Sequence, residues 1–455
     1  MGRLYPLDQV DQQSPAQSGE LAVRLAHLHR AGYPVSPTWV ISASVFEQGL
    51  QAVVAREPLL GDWPHLPWQP TPNAVAVHQS PQVLAQQLRR SLIRGPDLEV
   101  PWAVLVEAMA TPIVRLIPSL WLGDDQPTVG ITQLMGTQCC WANPQALRLA
   151  VQRLWASAVS GRCWAYWQRA AQPLSQLQLA IVVQPVVTTD VSGRLTRHGD
   201  DTGLQMVQGL PEGFQDSMPD HYEGRLTQIP PAAWRPGQQE QAYQPLDQPL
   251  DQPLLTDQAS YCHGRAISET ALAVVDPTVW QTLVGWATAI AVTEAQSFHW
   301  HWQWSRAHNA PIITQAWSWP FTPNPAQSRQ RMVGERAQWL GRSASPGQVI
   351  APALVLERDQ PLPDQAHHHI VVAQQIAPDA LPFLKTAVAI VCEQGGLACH
   401  GAILARELGI PAVVGIPGLT QQLQTGDQLH LDGDRGTIER IKAASPSGPP
   451  SSFTP

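Results

Sequence analysis

The carboxyl-terminal part of the chain has short apolar runs separated by polar turns, a pattern typical of alternating strands and helices. Between residues 340 and 441, five such runs are predicted as strands: Val349–Glu357, His369–Ala373, Ala387–Cys392, Ala412–Gly415 and Gln428–Leu431. A helix is predicted over His400–Leu408, where Ile403, Leu404 and Leu408 fall on one face. We therefore expect a compact β/α domain in which this helix packs on a buried sheet.

The preceding residues mix longer amphipathic helices with strands. The predicted helices are Gly19–His29, Gln82–Arg94, Pro144–Gln168 and Thr278–Ser297, and the predicted strands are Thr38–Ser42, Trp102–Glu107, Leu179–Val187 and Ala310–Ala316. A Gln-Pro-Leu-Asp repeat lies in the segment 235–258, which is rich in proline and glutamine and is predicted as a surface loop. The Ser/Pro/Gly-rich residues 442–455 are predicted as a disordered tail. The expected fold class is mixed α/β (α+β).

Composition and charge narrow the classes of partner. The chain has 455 residues, is 44% apolar and carries a formal net charge of −8 without a basic run, so a nucleic-acid partner is not expected. The first 20 residues lack the apolar core of a signal peptide. The most apolar stretch, Leu272–Val292, is interrupted by Asp276 and Pro277, so it is not predicted to cross a membrane. We expect a cytoplasmic protein without a membrane partner.

Cysteine and lysine usage limit the kinds of site that the sequence predicts. The six cysteines are scattered and never have CxxC spacing, so neither a zinc site nor a disulfide framework is predicted, and no metal ligand is proposed. Of the 28 basic side chains only two are lysines, Lys385 and Lys442, so the first 384 residues contain none. Any phosphate site in those residues would depend on arginine.

The main candidate for chemistry is His400, at the predicted start of a helix that follows a buried strand and the turn Gly395–Gly396. The first turn of a helix has backbone N–H groups without internal acceptors and the positive end of the dipole. Such a place disfavours an imidazolium and attracts an anion. A neutral imidazole is a nucleophile, and a phosphoryl group formed on it would meet these donors.

This stretch resembles a known family. Residues 395–415 read Gly-Gly-Leu-Ala-Cys-His-Gly-Ala-Ile-Leu-Ala-Arg-Glu-Leu-Gly-Ile-Pro-Ala-Val-Val-Gly. They are similar to the histidine motif of phosphoenolpyruvate synthase, which has relatives in pyruvate phosphate dikinase, rifampicin phosphotransferase and enzyme I. The flanking Ser345-Pro-Gly347 and Asp432-Gly433 fit as well. Two positions depart: Ala398 replaces a threonine that is a regulatory phosphorylation site in some dikinases, and Gly401 replaces an alanine.

The resemblance implies that residues 340–441 form a phosphohistidine swivelling domain in which His400 carries the phosphoryl group. The residues expected to stabilise the phosphate are Gly395, Gly396, Cys399 and Gly401. The amino-terminal region resembles the ATP-grasp nucleotide-binding region of the same enzymes, with Ala31-Gly-Tyr-Pro-Val-Ser-Pro-Thr-Trp-Val40 as the best-preserved motif. It is expected to have two subdomains, 1–122 and 123–322, joined to the histidine domain by a linker, 323–339. The candidates that it implies for a nucleotide site are Arg115, Arg162, Gln184 and Glu212.

The charged groups of that nucleotide site are partly lost. By the resemblance, Leu21 stands where a phosphate-binding lysine is expected, His299 where a metal-binding glutamate is expected, and Trp317 where a phosphate-binding arginine is expected. Phosphoryl transfer needs cations on the phosphate oxygens and carboxylates for Mg²⁺, and loss of one such group costs on the order of 10²–10³ in rate. ATP and Mg²⁺ are the cofactors that the resemblance implies, and these replacements argue against their use.

Three functional hypotheses follow. In the first, the diverged ATP-grasp domain or a separate kinase partner loads His400, and the histidine domain passes the phosphoryl group to a separate acceptor. A separate partner is expected because the chain ends shortly after the histidine domain and no acceptor domain is expected within it. In the second, the chain is a catalytically inactive pseudoenzyme that serves as a regulatory or nucleotide-sensing scaffold. In the third, the tryptophan-rich region acts in structure or interaction, with its indoles filling the nucleotide cleft: Trp300, Trp302, Trp304, Trp317 and Trp319.

Overall fold

The structure is a computed structural model, and the chain divides into two units, residues 1–321 and 322–455. The residues that the structure describes are 3–57, 81–95, 99–122, 128, 131–132, 135–160, 163, 177–198, 201–216, 219–224, 237, 239–246, 261–267, 271–293, 296–307, 310–320, 338–345, 347–356, 366–376, 380–384, 386–393, 399–416, 418–433 and 435–442. Each unit is built around its own sheets, and we describe them in turn.

The first sheet of the first unit is antiparallel. Its strands are β1 (Leu4–Pro6), β2 (Trp39–Ile41), β3 (Ile113–Trp121), β4 (Gln138–Trp141) and β5 (Gln178–Pro185), in the order β1-β2-β5-β3-β4. The accompanying helices are α1 (Pro15–Arg30), α2 (Ala43–Arg56), α3 (Pro81–Arg94), α4 (Trp102–Met109) and α5 (Pro144–Ala158), with a 3₁₀ turn at Leu7–Gln12. The central strands β3 and β5 are buried along most of their length, because their apolar runs are covered on both faces.

The second sheet of this unit has an aromatic face and a polar face. The next strands are β6 (Val191–His198), β7 (Asp201–Gln208), β8 (Asp220–Gly224), β9 (Gln241–Pro245), β10 (Cys262–Ala266), β11 (Gln296–Trp304) and β12 (Ile312–Pro320); the next helices are α6 (Gly213–Asp216), α7 (Ala271–Val274) and α8 (Pro277–Thr293). The sheet runs β12-β11-β6-β7-β8, and β9 and β10 form a separate hairpin. Aromatic and polar residues alternate along β11, so Phe298 and Trp300 face Trp286 of α8 while His299 and His301 face the other way.

The second unit contains a single mixed sheet among its described residues. Its strands are β13 (Gln338–Leu340), β14 (Arg342–Ser345), β15 (Gln348–Leu356), β16 (Ile370–Ala373), β17 (Ala389–Cys392), β18 (Ala412–Val414), β19 (Gln428–Asp432) and β20 (Thr437–Lys442), in the order β13-β20-β19-β15-β16-β17-β18-β14. Strands β15 to β18 are parallel neighbours. Its helices are α9 (Leu381–Leu384), α10 (His400–Leu408) and α11 (Leu419–Gln422). The alternating residues Ile370, Val372, Ala389, Val391 and Val413 supply much of the core.

The flanking motifs of this unit have a structural role. The Gly433 N–H donates to the Gly347 carbonyl at 2.8 Å, next to the pairing of Gln348 with Asp432. A Cβ atom on Gly433 would lie 2.3 Å from the Ser345 carbonyl oxygen, so only glycine permits this approach. The two motifs therefore join the beginning and the end of the sheet.

Most predicted elements are present. The helix His400–Leu408 has the predicted bounds, and the five predicted strands of the second unit are found with ends shifted by one or two residues. The prediction of a strand at Trp102–Glu107 is wrong, because the segment is helical and buries Trp102, Leu105 and Met109 at helical spacing. None of the described helices is long and apolar enough to cross a membrane.

Four predicted segment boundaries can be compared with the observed strands. Strands β3, β4 and β5 pair across residue 122, so the first sheet contains strands from both predicted subdomains. In the predicted loop 235–258, Gln241–Pro245 forms β9, and 247–258 lie outside the described residues. In the predicted linker 323–339, residues 338 and 339 belong to β13, which pairs with β20. Of the predicted tail, only Lys442 is described, at the end of β20.

Candidate functional site

His400 lies at the carboxyl edge of the parallel strands. It is the first residue of α10, which follows β17, the strand that ends at Cys392. The Glu393 N–H donates to the Ala373 carbonyl and the Gly415 N–H donates to the Cys392 carbonyl, each at 2.9 Å, so the ends of β16, β17 and β18 meet here. His400 is half-buried, and its Nε2 atom lies below the surface. In open α/β sheets, ligands bind outside the carboxyl ends of the strands.

The first turn of α10 offers anion-stabilising groups to the imidazole. The Ile403 N–H donates to the Cys399 carbonyl at 3.1 Å, which makes Cys399 the residue that precedes the first turn. The backbone N–H groups of the next residues have no acceptor inside the helix and stand at the positive end of its dipole. Ala402, Ile403 and Leu404 are buried, so the helix is fixed against the sheet. The local geometry therefore suits an anion bound to His400.

Two further residues anchor the chain as it leaves β17. Glu393 is buried, and its carboxylate accepts a hydrogen bond from the Thr420 N–H at the start of α11. Cys392 is also buried, and its sulfur accepts from the Ile376 N–H. Sequence reasoning did not single out either residue for this position. For Glu393, the available sequence signal was a charged residue directly after a buried strand.

The glycine at position 401 is explained by Cys392. A Cβ atom on Gly401 would lie 2.6 Å from the Cys392 Sγ and 3.1 Å from the Ile376 Cγ1. The space that an alanine methyl group would take is thus filled by the cysteine sulfur. Of the residues predicted to stabilise a phosphate, Cys399 and Gly401 flank His400, whereas Gly395 and Gly396 lie outside the described residues.

Replacing Gly401 with alanine is expected to destabilise the second unit by about 1–3 kcal/mol, because the added methyl group overlaps a buried sulfur. Cys392→Ala removes the obstacle, so the double variant Cys392→Ala/Gly401→Ala should recover most of this loss. Hydrogen exchange of peptides that cover α10 measures the effect. Equal losses in the single and double variants would show that the two residues are not in contact.

Two of the predicted nucleotide ligands bind each other. Arg115 and Glu212 form a salt bridge of 3.0 Å, and the Tyr261 hydroxyl donates to the same carboxylate at 2.8 Å. Burial alone lowers the pKa of Arg115, but the charge of Glu212, with the neighbouring Cys139 and Tyr261, raises it overall. Arg115 therefore stays charged, and its charge is already neutralised within the protein.

A third candidate, Gln184, has a structural role. It is the direct cross-strand neighbour of Arg115, between β5 and β3. Its Nε2 donates to the Thr38 Oγ1 at 3.0 Å and to the Thr314 carbonyl at 2.9 Å, which ties the two sheets together. The fourth candidate, Arg162, lies outside the described residues.

The three positions at which the resemblance expects charged groups are buried. Leu21 is fully buried on α1, and His299 and Trp317 are cross-strand neighbours whose rings stack at 5.9 Å. The His299 Nδ1 is 2.7 Å from the Thr196 Oγ1, and its Nε2 is 2.9 Å from the Nε2 of His301. Trp300, on the opposite face of β11, packs against α8. Of the tryptophans predicted to fill the cleft, Trp317 therefore lies on the face of the sheet that carries His299 and His301, whereas Trp300 lies on the opposite face.

At the positions predicted for a nucleotide site, described side chains contact one another. Arg115, the described arginine of the predicted site, is bound to Glu212, and leucine, histidine and tryptophan side chains fill the positions of Leu21, His299 and Trp317. Within the described part of the chain, no group of three or more histidine, cysteine, aspartate or glutamate side chains is arranged to hold a metal ion.

His301 gives the first unit a specific response to acid. Burial, and then the neighbouring His299, Arg194 and Arg115, hold the pKa of His301 well below its ordinary value. Below about pH 6.5, His301 therefore binds a proton in the unfolded chain but not in the folded chain. The free energy of unfolding of the first unit, which is at its full value above this pH, then falls by up to about 1.4 kcal/mol for each pH unit of acidification. Urea unfolding followed by tryptophan fluorescence between pH 7 and 5 measures this slope. His301→Gln should flatten it, whereas His263→Gln, at an exposed position, should not.

Comparison with known proteins finds relatives of the carboxyl-terminal region. Residues 365–436 match the family model of the PEP-utilising enzyme, mobile domain. A probable phosphoenolpyruvate synthase of Archaeoglobus fulgidus is 38% identical over 98 residues, which are 22% of this chain and 13% of that protein. The phosphoenolpyruvate synthase of Aeropyrum pernix is 46% identical over 69 residues, 15% of this chain and 8% of that protein.

Each of these relatives matches less than a quarter of this chain. The chain spans only a small part of the length of the phosphoenolpyruvate synthases that it matches. Among solved structures, the NMR structure of Enzyme I (nEIt) is 31% identical, covers 16% of this chain and 31% of that chain, and has a TM-score of 0.16. The sequence-based expectation of a domain related to phosphoenolpyruvate synthase is thus confirmed for the region around His400.

Proposed function

We propose that this protein is a phosphotransfer protein in which His400 accepts a phosphoryl group and passes it to a separate acceptor. The observation that carries the proposal is the position of His400, at the start of α10 and at the carboxyl edge of the parallel strands, within the region that matches the mobile-domain family. The imidazole nitrogen attacks phosphorus, the donor's leaving group departs with the bonding electrons, and the helix N–H groups stabilise the phosphoryl oxygens.

The donor, in this proposal, is not ATP bound by the first unit. Arg115 is held by Glu212, Leu21 is part of the core, and Trp317 stacks on His299, so the phosphate-binding charges that a kinase needs are replaced or neutralised. A separate protein or a small high-energy phosphate, such as phosphoenolpyruvate, supplies the group. The acceptor is a second protein or a small molecule brought by one.

Labelling with separate donors tests this proposal. The purified protein is incubated with γ- and β-labelled ATP and, separately, with labelled phosphoenolpyruvate, and acid-labile label is counted. We expect the protein to become labelled by phosphoenolpyruvate, or after addition of a cell extract that contains the donor protein. We expect no label with ATP alone, and no label on the His400→Asn variant with any donor. Label from ATP in the purified protein would contradict the proposed loss of the nucleotide site.

A pseudoenzyme that serves as a regulatory scaffold is the second candidate. It is favoured by two contacts, the Arg115–Glu212 ion pair and the stacking of His299 on Trp317, in which side chains contact each other where the resemblance expects ligands. Isothermal titration calorimetry separates the forms of this hypothesis. Binding of ATP without turnover would support a nucleotide-sensing scaffold, and hydrolysis of ATP would exclude a pseudoenzyme.

A further inference from the structure

Two cysteine side chains meet beside His400. Cys392, the last residue of β17, is fully buried, whereas Cys399, directly before His400, is partly exposed. Their thiols are in hydrogen-bonding contact. This hydrogen bond to Cys399, together with burial, holds the pKa of Cys392 well above its ordinary value.

The position of the Cys392 sulfur is defined by other contacts as well. The Ile376 N–H donates to it, and it occupies the space beside the first turn of α10 that the missing Cβ of Gly401 leaves open. Strand β17 lies between β16 and β18, so Cys392 is held by hydrogen bonds on both sides. Of the two residues, Cys399 is the more exposed, and it lies outside the sheet.

We propose that Cys392 and Cys399 are a redox modification site that closes to a disulfide and disables His400. A hydroperoxide oxidises the Cys399 thiol: the O–O bond breaks, an S–O bond forms, and water or an alcohol leaves. The Cys392 sulfur then attacks the Cys399 sulfenic acid, the S–S bond forms, and the hydroxyl group leaves with the Cys392 proton as water. A disulfide oxidant reaches the same product by two thiol exchanges, releasing two thiols.

The consequence for His400 follows from geometry. A disulfide bond is about 2.05 Å long, much shorter than a contact between two hydrogen-bonded thiols, so closure must draw the two residues together. Because Cys392 is fixed in the sheet, the displacement falls on Cys399 and on the imidazole next to it. A misplacement of about 1 Å at a reacting group costs on the order of 100-fold in rate. This consequence for phosphorylation rests on the proposed function, whereas the disulfide itself does not.

The test uses the full-length protein, oxidised with hydrogen peroxide or oxidised glutathione and then reduced with dithiothreitol. Non-reducing peptide mapping by mass spectrometry should find a peptide pair joined at Cys392 and Cys399, lighter by two hydrogens. Reactivity of His400 toward diethyl pyrocarbonate and acid-labile phosphoryl label on His400 should both fall by about tenfold or more and recover on reduction. Cys392→Ser should lose the reversible effect, and Cys163→Ser, a buried cysteine of the first unit, should keep it.

The results that support or overturn the proposed redox site are as follows. The cross-linked peptide, with reversible loss of His400 reactivity in the wild type but not in Cys392→Ser, supports the proposal. Oxidation of Cys399 to a sulfinic acid or a mixed disulfide without the cross-link overturns it, and so does a cross-link that leaves His400 reactivity unchanged. If the cross-link and the loss of diethyl pyrocarbonate reactivity are found but no donor labels the reduced protein, the redox site stands and the phosphotransfer function fails.

Discussion

Replacing Glu212 with alanine is expected to destabilise the first unit by about 3–5 kcal/mol, since removing one partner leaves the other charge buried without compensation. Arg115 has only 4% of its side chain exposed, and the Tyr261 hydroxyl would lose the same acceptor. Urea unfolding followed by tryptophan fluorescence measures this loss. Trp339 is the only tryptophan beyond residue 321, so the signal reports mainly on the first unit.

Two further variants make this result specific. Asp11→Ala breaks the exposed Arg30–Asp11 pair and should cost less than about 1 kcal/mol. Arg115→Met/Glu212→Leu removes both charges together and should be far more stable than Glu212→Ala. A loss below about 1 kcal/mol in Glu212→Ala would show that Arg115 reaches water or another partner. Arg115 would then be available to bind a phosphate, which would favour a nucleotide site in the first unit.

Replacing Gly19 with alanine is expected to cost the first unit roughly 3–5 kcal/mol, from backbone strain and steric overlap together. Gly19 interrupts α1 with a φ of +76° and a ψ of 163°, a conformation that is nearly exclusive to glycine. A Cβ atom there would lie 2.0 Å from the Ser119 carbonyl oxygen of β3. The same fluorescence measurement applies, and a change below about 1 kcal/mol would show that α1 and β3 do not approach so closely.

Ser119→Ala is the matched variant for this kink. The Ser119 hydroxyl donates to the Ser18 carbonyl at 2.9 Å and accepts from the Ala22 N–H at 3.1 Å, so it is inserted where a helical hydrogen bond between these two residues would be. A side chain inserted in this way is a known cause of a sharp helix kink. Its removal should cost about 1–3 kcal/mol, because both backbone groups are left without a partner. An equal or larger loss than in Gly19→Ala would contradict the steric explanation.

The carboxyl-terminal unit was predictable because its local signals agree with its fold. The start of α10 at His400 follows from apolar spacing, and Gly409 stands just after the helix. The role of Gly401 was not predictable, since it depends on the sulfur of Cys392, which the fold brings to it from β17. Contacts of this kind join residues that sequence patterns treat separately.

In the first unit, more of the structure depends on contacts between residues that are distant in sequence. The ion pair of Arg115 and Glu212 joins β3 to a turn far along the chain, and no local pattern announces it. The segment Trp102–Met109 was predicted wrongly because a short apolar run fits a strand as well as a buried helix. Its residues of high helix propensity and the preceding Pro101 were the signals that favoured a helix. The kink at Gly19 likewise depends on β3, which is distant in sequence.

The most direct measurement is localisation of the phosphoryl group by tandem mass spectrometry under neutral or alkaline conditions, after incubation with each donor. Phosphohistidine is labile in acid, so the peptides must not be acidified. We predict phosphate on His400 and on no other residue, and none when His400→Asn is treated in the same way. Phosphate on another residue, or none with phosphoenolpyruvate, ATP and cell extract alike, would contradict the proposal that His400 carries a phosphoryl group.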